Sequence, residues 1–148
     1  MGYHTEFDGR FTLNKQLDVD TLNFLKKFAA SRRMKRKNLG PEFGHEGALY
    51  VGEENNDYGN RTIENYNLPP AGQPGLWCQW VPSEDGRYIE WDGGEKFYNY
   101  VEWIKYIIVN FLAPKGYILN GEVRWDGEER GDLGTIVIKD NVVTTENR

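Results

Sequence analysis

Residues 76–91, LWCQWVPSEDGRYIEW, predict the element from which the rest of the fold can be built. Two runs rich in aromatic and β-branched side chains flank a polar turn that contains Asp85-Gly86. Such runs around an Asp-Gly turn are typical of a β-hairpin. Because successive side chains of a strand point to opposite faces, Trp77 and Trp80 are not both expected in the core. The hairpin therefore predicts aromatic surface outside the core.

A long amphipathic helix is predicted directly after this hairpin, and it opens at the stretch DGGE, residues 92–95. Its apolar side chains keep a helical spacing for about four turns. They are Phe97, Tyr100, Val101, Ile104, Ile107, Ile108 and Phe111. Pro114 and Gly116 are expected to end the helix. We interpret Asp92 and Glu95 as capping the helix themselves, because two carboxylates would repel a phosphate at its start.

The remaining elements lie on both sides of the hairpin and long helix. Upstream, we expect a strand over 3–13 that bends at Gly9, and a helix that starts at Asp18 or Asp20 and stops by Gly40. Short strands are expected over 48–51, 117–125, 135–139 and 142–143. Their order predicts an α+β fold, with an antiparallel sheet of about five to six strands and two helices packed on one face.

Length and composition limit the class of protein. The 148 residues, 17.2 kDa in all, predict one domain over 1–148, with a long irregular loop at about 40–75. With 39% hydrophobic and 28% charged residues, the chain fits neither a membrane span nor a disordered tail. The single cysteine, Cys78, excludes an intrachain disulfide and a zinc site of several thiolates. We expect no membrane association, a cytoplasmic location, and no cofactor.

Charge is unevenly distributed along the chain. Seven of the 18 basic residues fall within 26–37, and no acidic residue occurs between Asp20 and Glu42. Such a window can bind nucleic acid or can lie against an acidic face of the same domain. Because 11 basic and 23 acidic residues make up the other charges, we prefer the second interpretation. Nucleic-acid binding through residues 26–37 stays open as the less favoured alternative.

Aromatic residues form the most informative cluster, since nine of them lie between Trp77 and Tyr106. Large rings can simply fill the core, but exposed ones can stack on a base or another flat ligand. Our leading hypothesis is a non-enzymatic domain that binds a small, nucleotide-like ligand between this platform and the 40–75 loop. The candidate binding residues are Trp77, Trp91 and Tyr98 for stacking, and Arg32, Arg33 and Arg36 for holding the ligand.

Two other classes of function stay open at this point. The exposed aromatic and arginine side chains can anchor a protein-protein interface, for example one that neutralises a host protein. A small hydrolase is the third possibility, with His45 as general base and Glu46 as its orienting acid. No metal is expected, but Glu128 and Asp132, in an acidic turn, are the candidate ligands if such a hydrolase uses a metal instead of His45.

One resemblance covers most of the chain. The stretches NLPPAGQPGLWCQW (67–80) and EWDGGEKFY (90–98), with the closing GEVRW (121–125), resemble a family of small proteins of actinobacteria and bacteriophages. No activity is assigned to that family, so the resemblance implies none here. It implies a bacterial or phage cytoplasm, where proteins of this size often bind and neutralise a host component.

Overall fold

The computed structural model describes residues 2–52 and 61–147. The strands are β1 (Thr5–Leu13), β2 (Lys35–Arg36), β3 (Ile63–Asn65), β4 (Trp80–Pro82), β5 (Tyr88–Trp91), β6 (Leu119–Gly127), β7 (Leu133–Lys139) and β8 (Val142–Asn147). Six of them form one antiparallel sheet in the order β4-β5-β1-β6-β7-β8, and β2 pairs with β3. The hairpin predicted from residues 76–91 is β4 and β5.

Two helices pack against the sheet, α1 (Val19–Ala30) and α2 (Tyr100–Ile107). The end of α2 continues through a π-helical turn (Ile108–Leu112) and a 3-10 turn (Ala113–Lys115). Side chains of both helices and of the sheet belong to one hydrophobic core. The predicted α+β fold, a six-stranded antiparallel sheet with two helices, is therefore confirmed.

Among the described residues, the side chains of β1 alternate between the core and the solvent. On β1, Phe11 and Leu13 are buried, whereas the alternate side chains Arg10 and Thr12 are exposed. β1 stays paired with β6 along its whole length, including the position at which a bend was predicted. Gly9 takes a φ of 106° there, and a Cβ on it would lie 2.7 Å from the Glu122 carbonyl oxygen. A glycine is therefore required at this crossing of the two strands.

The prediction that the long helix opens at residues 92–95 is wrong, because α2 begins only at Tyr100. Lys96 and Asn99 have φ values of 60° and 57°, in the left-handed region that interrupts a right-handed helix. Phe97 is buried as its spacing predicted, but it reaches the core from a loop. Residues 92–99 therefore form an irregular segment that the apolar periodicity did not reveal.

Two further boundaries differ from the predictions. α1 starts after its N-cap Asp18 as expected, but it ends at Ala30, ten residues before Gly40. The backbone then runs beside another segment, where Arg33 N donates to the Leu76 carbonyl oxygen at 2.7 Å. The strand expected over 48–51 is absent from this described segment, which follows two 3-10 turns (Pro41–Phe43 and His45–Gly47). Part of the predicted 40–75 loop, residues 53–60, lies outside the described residues.

Candidate functional site

A surface groove lies between the segment that leads into β4 and the irregular segment that leads into α2. Its volume is about 470 Å³. The described residues that line it are Gly75, Leu76, Trp77, Gln79, Glu95, Lys96, Tyr98 and Asn99. We call it the Trp77 groove, after the largest side chain in its wall.

Two of the predicted stacking residues meet in the Trp77 groove. Trp77 is 41% exposed and Tyr98 is 49% exposed. Trp77 is exposed because the chain alternates here, so that the neighbouring Cys78 and the following Trp80 point into the core. The prediction that Trp77 and Trp80 are not both buried is thereby confirmed. Tyr98 is tethered through its hydroxyl oxygen, which accepts a hydrogen bond from Tyr3 N at 2.9 Å.

Trp91, the third predicted stacking residue, stands behind the groove. It is half-buried against Phe7, with ring centroids 5.2 Å apart. Its Nε1 donates to Gln79 Oε1 at 3.1 Å, and Gln79 Nε2 donates to the Glu95 carbonyl oxygen at 2.8 Å. Trp91 therefore orients Gln79, which joins the two walls of the groove.

Both ends of the 92–99 segment are fixed by hydrogen bonds. Asp92 N donates to the Gln79 carbonyl oxygen at 3.0 Å, and Asp92 Oδ1 accepts from Gly94 N at 2.7 Å. Partial burial raises the pKa of the Asp92 carboxyl. At the other end, Asn99 Nδ2 donates to the Pro74 carbonyl oxygen at 2.7 Å. Asp92 therefore caps a turn in this wall of the groove. The prediction that Asp92 caps the start of the long helix is wrong, because that helix begins at Tyr100.

The three predicted arginines lie elsewhere, and none is among the described residues that line the groove. Arg32 stacks on Tyr66, with its guanidinium carbon 4.0 Å from the ring centroid, and its Nε donates to the Tyr66 carbonyl oxygen. Arg36 is buried, where Nη1 donates to Thr62 Oγ1 at 3.0 Å and the guanidinium covers Tyr50.

Arg33 is also buried, and it holds the loop after α1 in place. Its Nη1 donates to the Tyr50 carbonyl oxygen at 2.7 Å, and its Nη2 donates to that of Ala48 at 3.0 Å. Nε donates to Gln73 Oε1 at 3.3 Å, and the guanidinium lies 4.1 Å from the centre of the Phe28 ring. Since its donors serve the chain itself, we carry the candidate site forward without Arg33 and Arg36.

Other basic side chains of residues 26–37 also form ion pairs within the protein. Lys26 Nζ lies 3.4 Å from a Glu84 carboxylate oxygen, and Lys35 Nζ lies 3.2 Å from Glu46 and 3.6 Å from Glu64. Together with the buried arginines, these pairs favour the interpretation in which the window of residues 26–37 faces acidic and carbonyl groups of its own domain.

The candidate catalytic pair does not form a typical acid-base arrangement. His45 Nε2 is 3.8 Å from Glu46 Oε2, and the His45 side chain is largely exposed. Glu46 instead accepts from Ala71 N at 2.8 Å and pairs with Lys35, and these contacts lower its carboxyl pKa. Cys78 offers no nucleophile, because burial raises the pKa of its thiol to about 12. Glu46 therefore links its own segment to Ala71 by a hydrogen bond and to Lys35 by an ion pair.

The candidate metal ligands are occupied by the N-terminal segment. Glu128 Oε1 accepts a hydrogen bond from His4 N, and Asp132 accepts one from the Tyr3 hydroxyl at 2.6 Å and one from Trp125 Nε1 at 3.0 Å. Within 2–52 and 61–147, no group of three or more His, Cys, Asp or Glu side chains is placed to hold a metal ion.

No family model, curated protein or solved structure matches this chain. The resemblance to actinobacterial and phage proteins therefore stays a prediction. In the described part of the chain, no helix has the length and apolar character needed to cross a bilayer.

Sequence reasoning missed four residues of the groove region. Gln79, Asn99 and Gly75 were not among the predicted site residues. Trp103 was not among the predicted site residues either; it is fully buried, with its Nε1 3.6 Å from the position of a Cβ built on Gly75. Their roles depend on contacts between distant segments, for which the sequence carries no local signal.

Proposed function

We propose that this chain is a non-enzymatic binding domain that holds a flat, nucleobase-like heterocycle in the Trp77 groove. The observation that carries the proposal is the exposure of Trp77 beside Tyr98, in a groove of about 470 Å³. Trp80, Trp103 and Trp125 are buried, and Trp91 is half-buried. A volume of this size lies within the usual range for small-ligand sites.

The charges around the groove favour the base of a nucleotide over its phosphates. Glu95 and Lys96 are the charged side chains among the described lining residues, and their charges oppose each other. Arg33 and Arg36 are committed to the loop after α1. Stacking on an aromatic side chain contributes about 1–3 kcal/mol per base, without any need for phosphate contacts.

Calorimetric titration with uncharged nucleosides tests the proposal. Trp77→Ala should weaken binding about tenfold or more, since about 1.4 kcal/mol of lost stacking is a factor of ten. Trp77→Phe should recover part of the affinity, because it keeps a flat ring. Tyr66→Ala is the matched control, since Tyr66 is exposed but does not line the groove.

Two outcomes would contradict the proposal. One is the absence of binding by every nucleoside at millimolar concentration, and the other is equal weakening by Trp77→Ala and Tyr66→Ala. Addition of a 5′-phosphate should change the affinity little, because Lys96 is opposed by Glu95 at the groove.

For the location of the protein, we infer the cytoplasm, where a single buried thiol such as Cys78 stays reduced.

A second candidate function is binding of a protein partner at the exposed pair Tyr66 and Leu68. They are 55% and 53% exposed, and Arg32 stacks on Tyr66. Tyr and Arg side chains are frequent interface anchors. Size-exclusion chromatography with light scattering should then give a mass above one chain, or a co-eluting host protein, and Leu68→Asp should abolish it. A single-chain mass with no co-eluting protein would contradict this candidate.

A further inference from the structure

We propose that two copies of this chain associate through β8, whose free edge, the one that faces away from β7, pairs antiparallel with the free edge of β8 in a second copy. In this arrangement Thr145 lies opposite Thr145 of the second copy, and the two six-stranded sheets become one continuous sheet. No residue of β8 is among the described residues that line the Trp77 groove, so this inference does not depend on the proposed function.

The two edge strands of the main sheet differ in their protection against a further strand. β4 has three residues and contains Pro82, which has no N–H to offer. β8 has six residues, pairs with β7 without a register shift, and contains neither a proline nor a lysine. Proteins usually block the edge of a sheet with short strands, prolines, lysines or bulges, because unpaired N–H and C=O groups attract another strand. The described residues of β8 carry none of these protections.

The turn before β8 determines which of its main-chain groups point outward. Asp140 and Asn141 have φ values of 47° and 69°, as in a two-residue type I′ turn. The residues that flank such a turn, Lys139 and Val142, form a hydrogen-bonded pair, and hydrogen-bonded pairs then alternate along the hairpin. The residues of β8 whose N–H and C=O groups point away from β7 are therefore Val143, Thr145 and Asn147. These groups make no backbone hydrogen bond to another described segment.

The face of the sheet on which the helices pack is also open next to this edge. Thr145 and Asn147 point to that face, opposite buried residues of β7, and yet both are exposed. A cavity of about 370 Å³ lies there, and Val101 and Trp125 line it together with Thr145 and Asn147. α2 therefore does not cover the end of β8, and apolar side chains border the space beside the strand.

A second copy of the chain fits this edge because β8 is complementary to itself. With Thr145 opposite Thr145 of the second copy, Val143 lies opposite Asn147 of the second copy, so every outward-facing residue of β8 gains an outward-facing partner. Side chains directly opposite each other on neighbouring strands are about 5 Å apart. Val143 of the second copy therefore lies beside Asn147 and covers apolar surface that a single copy leaves open. A two-fold axis repeats the same contact on the other side.

The charges of β8 fit the same register. Thr144 lies opposite Glu146 of the second copy, so no like charges are directly opposed among the described residues of the two strands. The alternative register, with Thr144 opposite Thr144, places Asn147 opposite Asn141 of the turn. Asn141 has a left-handed backbone, with φ of 69°, which does not continue a strand. The register centred on Thr145 therefore uses more of the strand.

Sedimentation equilibrium with two lysine variants tests the proposal. The natural protein should show a concentration-dependent mass that approaches twice the 17.2 kDa of one chain. Thr145→Lys sets two like charges against each other on the two-fold axis and should raise the Kd of the dimer about tenfold or more. Thr144→Lys is the matched control, because the same change on the adjacent exposed residue faces Glu146 of the second copy and should leave the Kd unchanged or lower it.

A proline variant tests the main-chain contact without a change of charge. The N–H of Thr145 points away from β7, so Thr145→Pro keeps the pairing of β7 with β8 and removes the central hydrogen bonds between the copies. It should raise the Kd of the dimer about tenfold or more, while circular dichroism shows an unchanged fold. Hydrogen exchange of the Thr145 amide should also slow as the concentration of the natural protein rises.

Three outcomes would overturn the inference. The first is a mass of one chain for the natural protein at about 1 mM. The second is a dimer that Thr144→Lys weakens as much as Thr145→Lys does. The third is a dimer that Leu68→Asp dissociates and Thr145→Pro does not, since this would place the contact at Tyr66 and Leu68 instead of β8. Each of these results leaves the binding of nucleosides in the Trp77 groove to its own test.

Discussion

Trp80 and Trp103 form a matched pair for a stability experiment, because both indoles are buried and differ in their hydrogen bonding. Trp80 Nε1 donates to the Tyr100 carbonyl oxygen at 2.8 Å, whereas no described residue accepts from Trp103 Nε1. Substitution by Phe removes roughly 40 Å³ of side chain, which costs about 1 kcal/mol at about 24 cal/mol per Å³ of cavity. This packing cost applies to both sites and cancels in the comparison.

The difference between the two variants then comes from the N–H group. Trp80→Phe also loses a hydrogen bond with a net value of about 1 kcal/mol. Trp103→Phe removes a buried donor without a described partner, which relieves an unfavourable term of about 1 kcal/mol or more. We therefore expect Trp80→Phe to destabilise the fold by about 2 kcal/mol more than Trp103→Phe.

Urea unfolding followed by circular dichroism measures this difference, provided that the two variants have the same m-value. In thermal unfolding, about 2 kcal/mol corresponds to roughly 4–8 °C in Tm for a chain of this length. A Trp103→Phe variant that is destabilised as much as Trp80→Phe would refute the reasoning. It would mean that Trp103 Nε1 makes a bond of ordinary value in the free protein.

Three more predictions follow from groups outside the groove. Arg33→Met should lower the free energy of unfolding by about 3 kcal/mol, because several buried carbonyl groups lose a charged donor. Arg32→Met should cost less, because Arg32 is only half-buried and its Nε donates to a single carbonyl oxygen, that of Tyr66. Hydrogen bonds from Thr21 N and then the Tyr117 hydroxyl lower the pKa of Asp18 to about 2, below its usual 3.8. The stabilisation by Asp18 is therefore present above about pH 4 and is lost as the pH falls towards 2. The drop in Tm between pH 5 and pH 2 should therefore be smaller in Asp18→Asn than in the natural protein. The Cys78 thiol, with its pKa raised to about 12 by burial, should react with a thiol reagent only after unfolding, and rapid reaction of the folded protein would contradict its place in the core.

The elements that sequence could predict are those whose signal is local. The strand predicted over 117–125 is β6, on which Leu119 and Val123 are buried, and the turn around Asp85-Gly86 defined the hairpin. Asp18 was recognisable as a cap because its carboxylate accepts from Thr21 N, three residues later. Each of these patterns depends on neighbours in the chain, so a single sequence contains it.

The errors came from features that distant segments decide. Apolar spacing put Phe97 on a helix, but spacing says nothing about the left-handed backbone of Lys96 and Asn99. Arg33 was predicted to hold a ligand, yet it is buried because the loop around Tyr50 turns its carbonyl oxygens towards it. Burial of a guanidinium depends on the position of those acceptors, which only the fold provides.

The same limit explains what was predicted of the candidate site. The exposure of Trp77 follows from alternation with Trp80, so the sequence contained it. The approach of Trp103 Nε1 and Asn99 Nδ2 to Gly75 could not be predicted from the sequence, because Trp103 lies on α2 and reaches the glycine from the core side. Two segments separated by more than twenty residues must meet before that arrangement exists.

The walls of the groove are built before any ligand arrives, and this bears on how binding would work. Gln79 links β4 to the 92–99 segment through Trp91 and Glu95, and Asn99 links that segment back to Pro74. A left-handed backbone costs about 1 kcal/mol for a residue other than glycine, and it persists only where surrounding contacts hold it. Because these contacts already fix the walls, a ligand has little loop entropy to remove on binding. Affinity in this groove should therefore depend on stacking at Trp77, because the walls do not have to be ordered by the ligand.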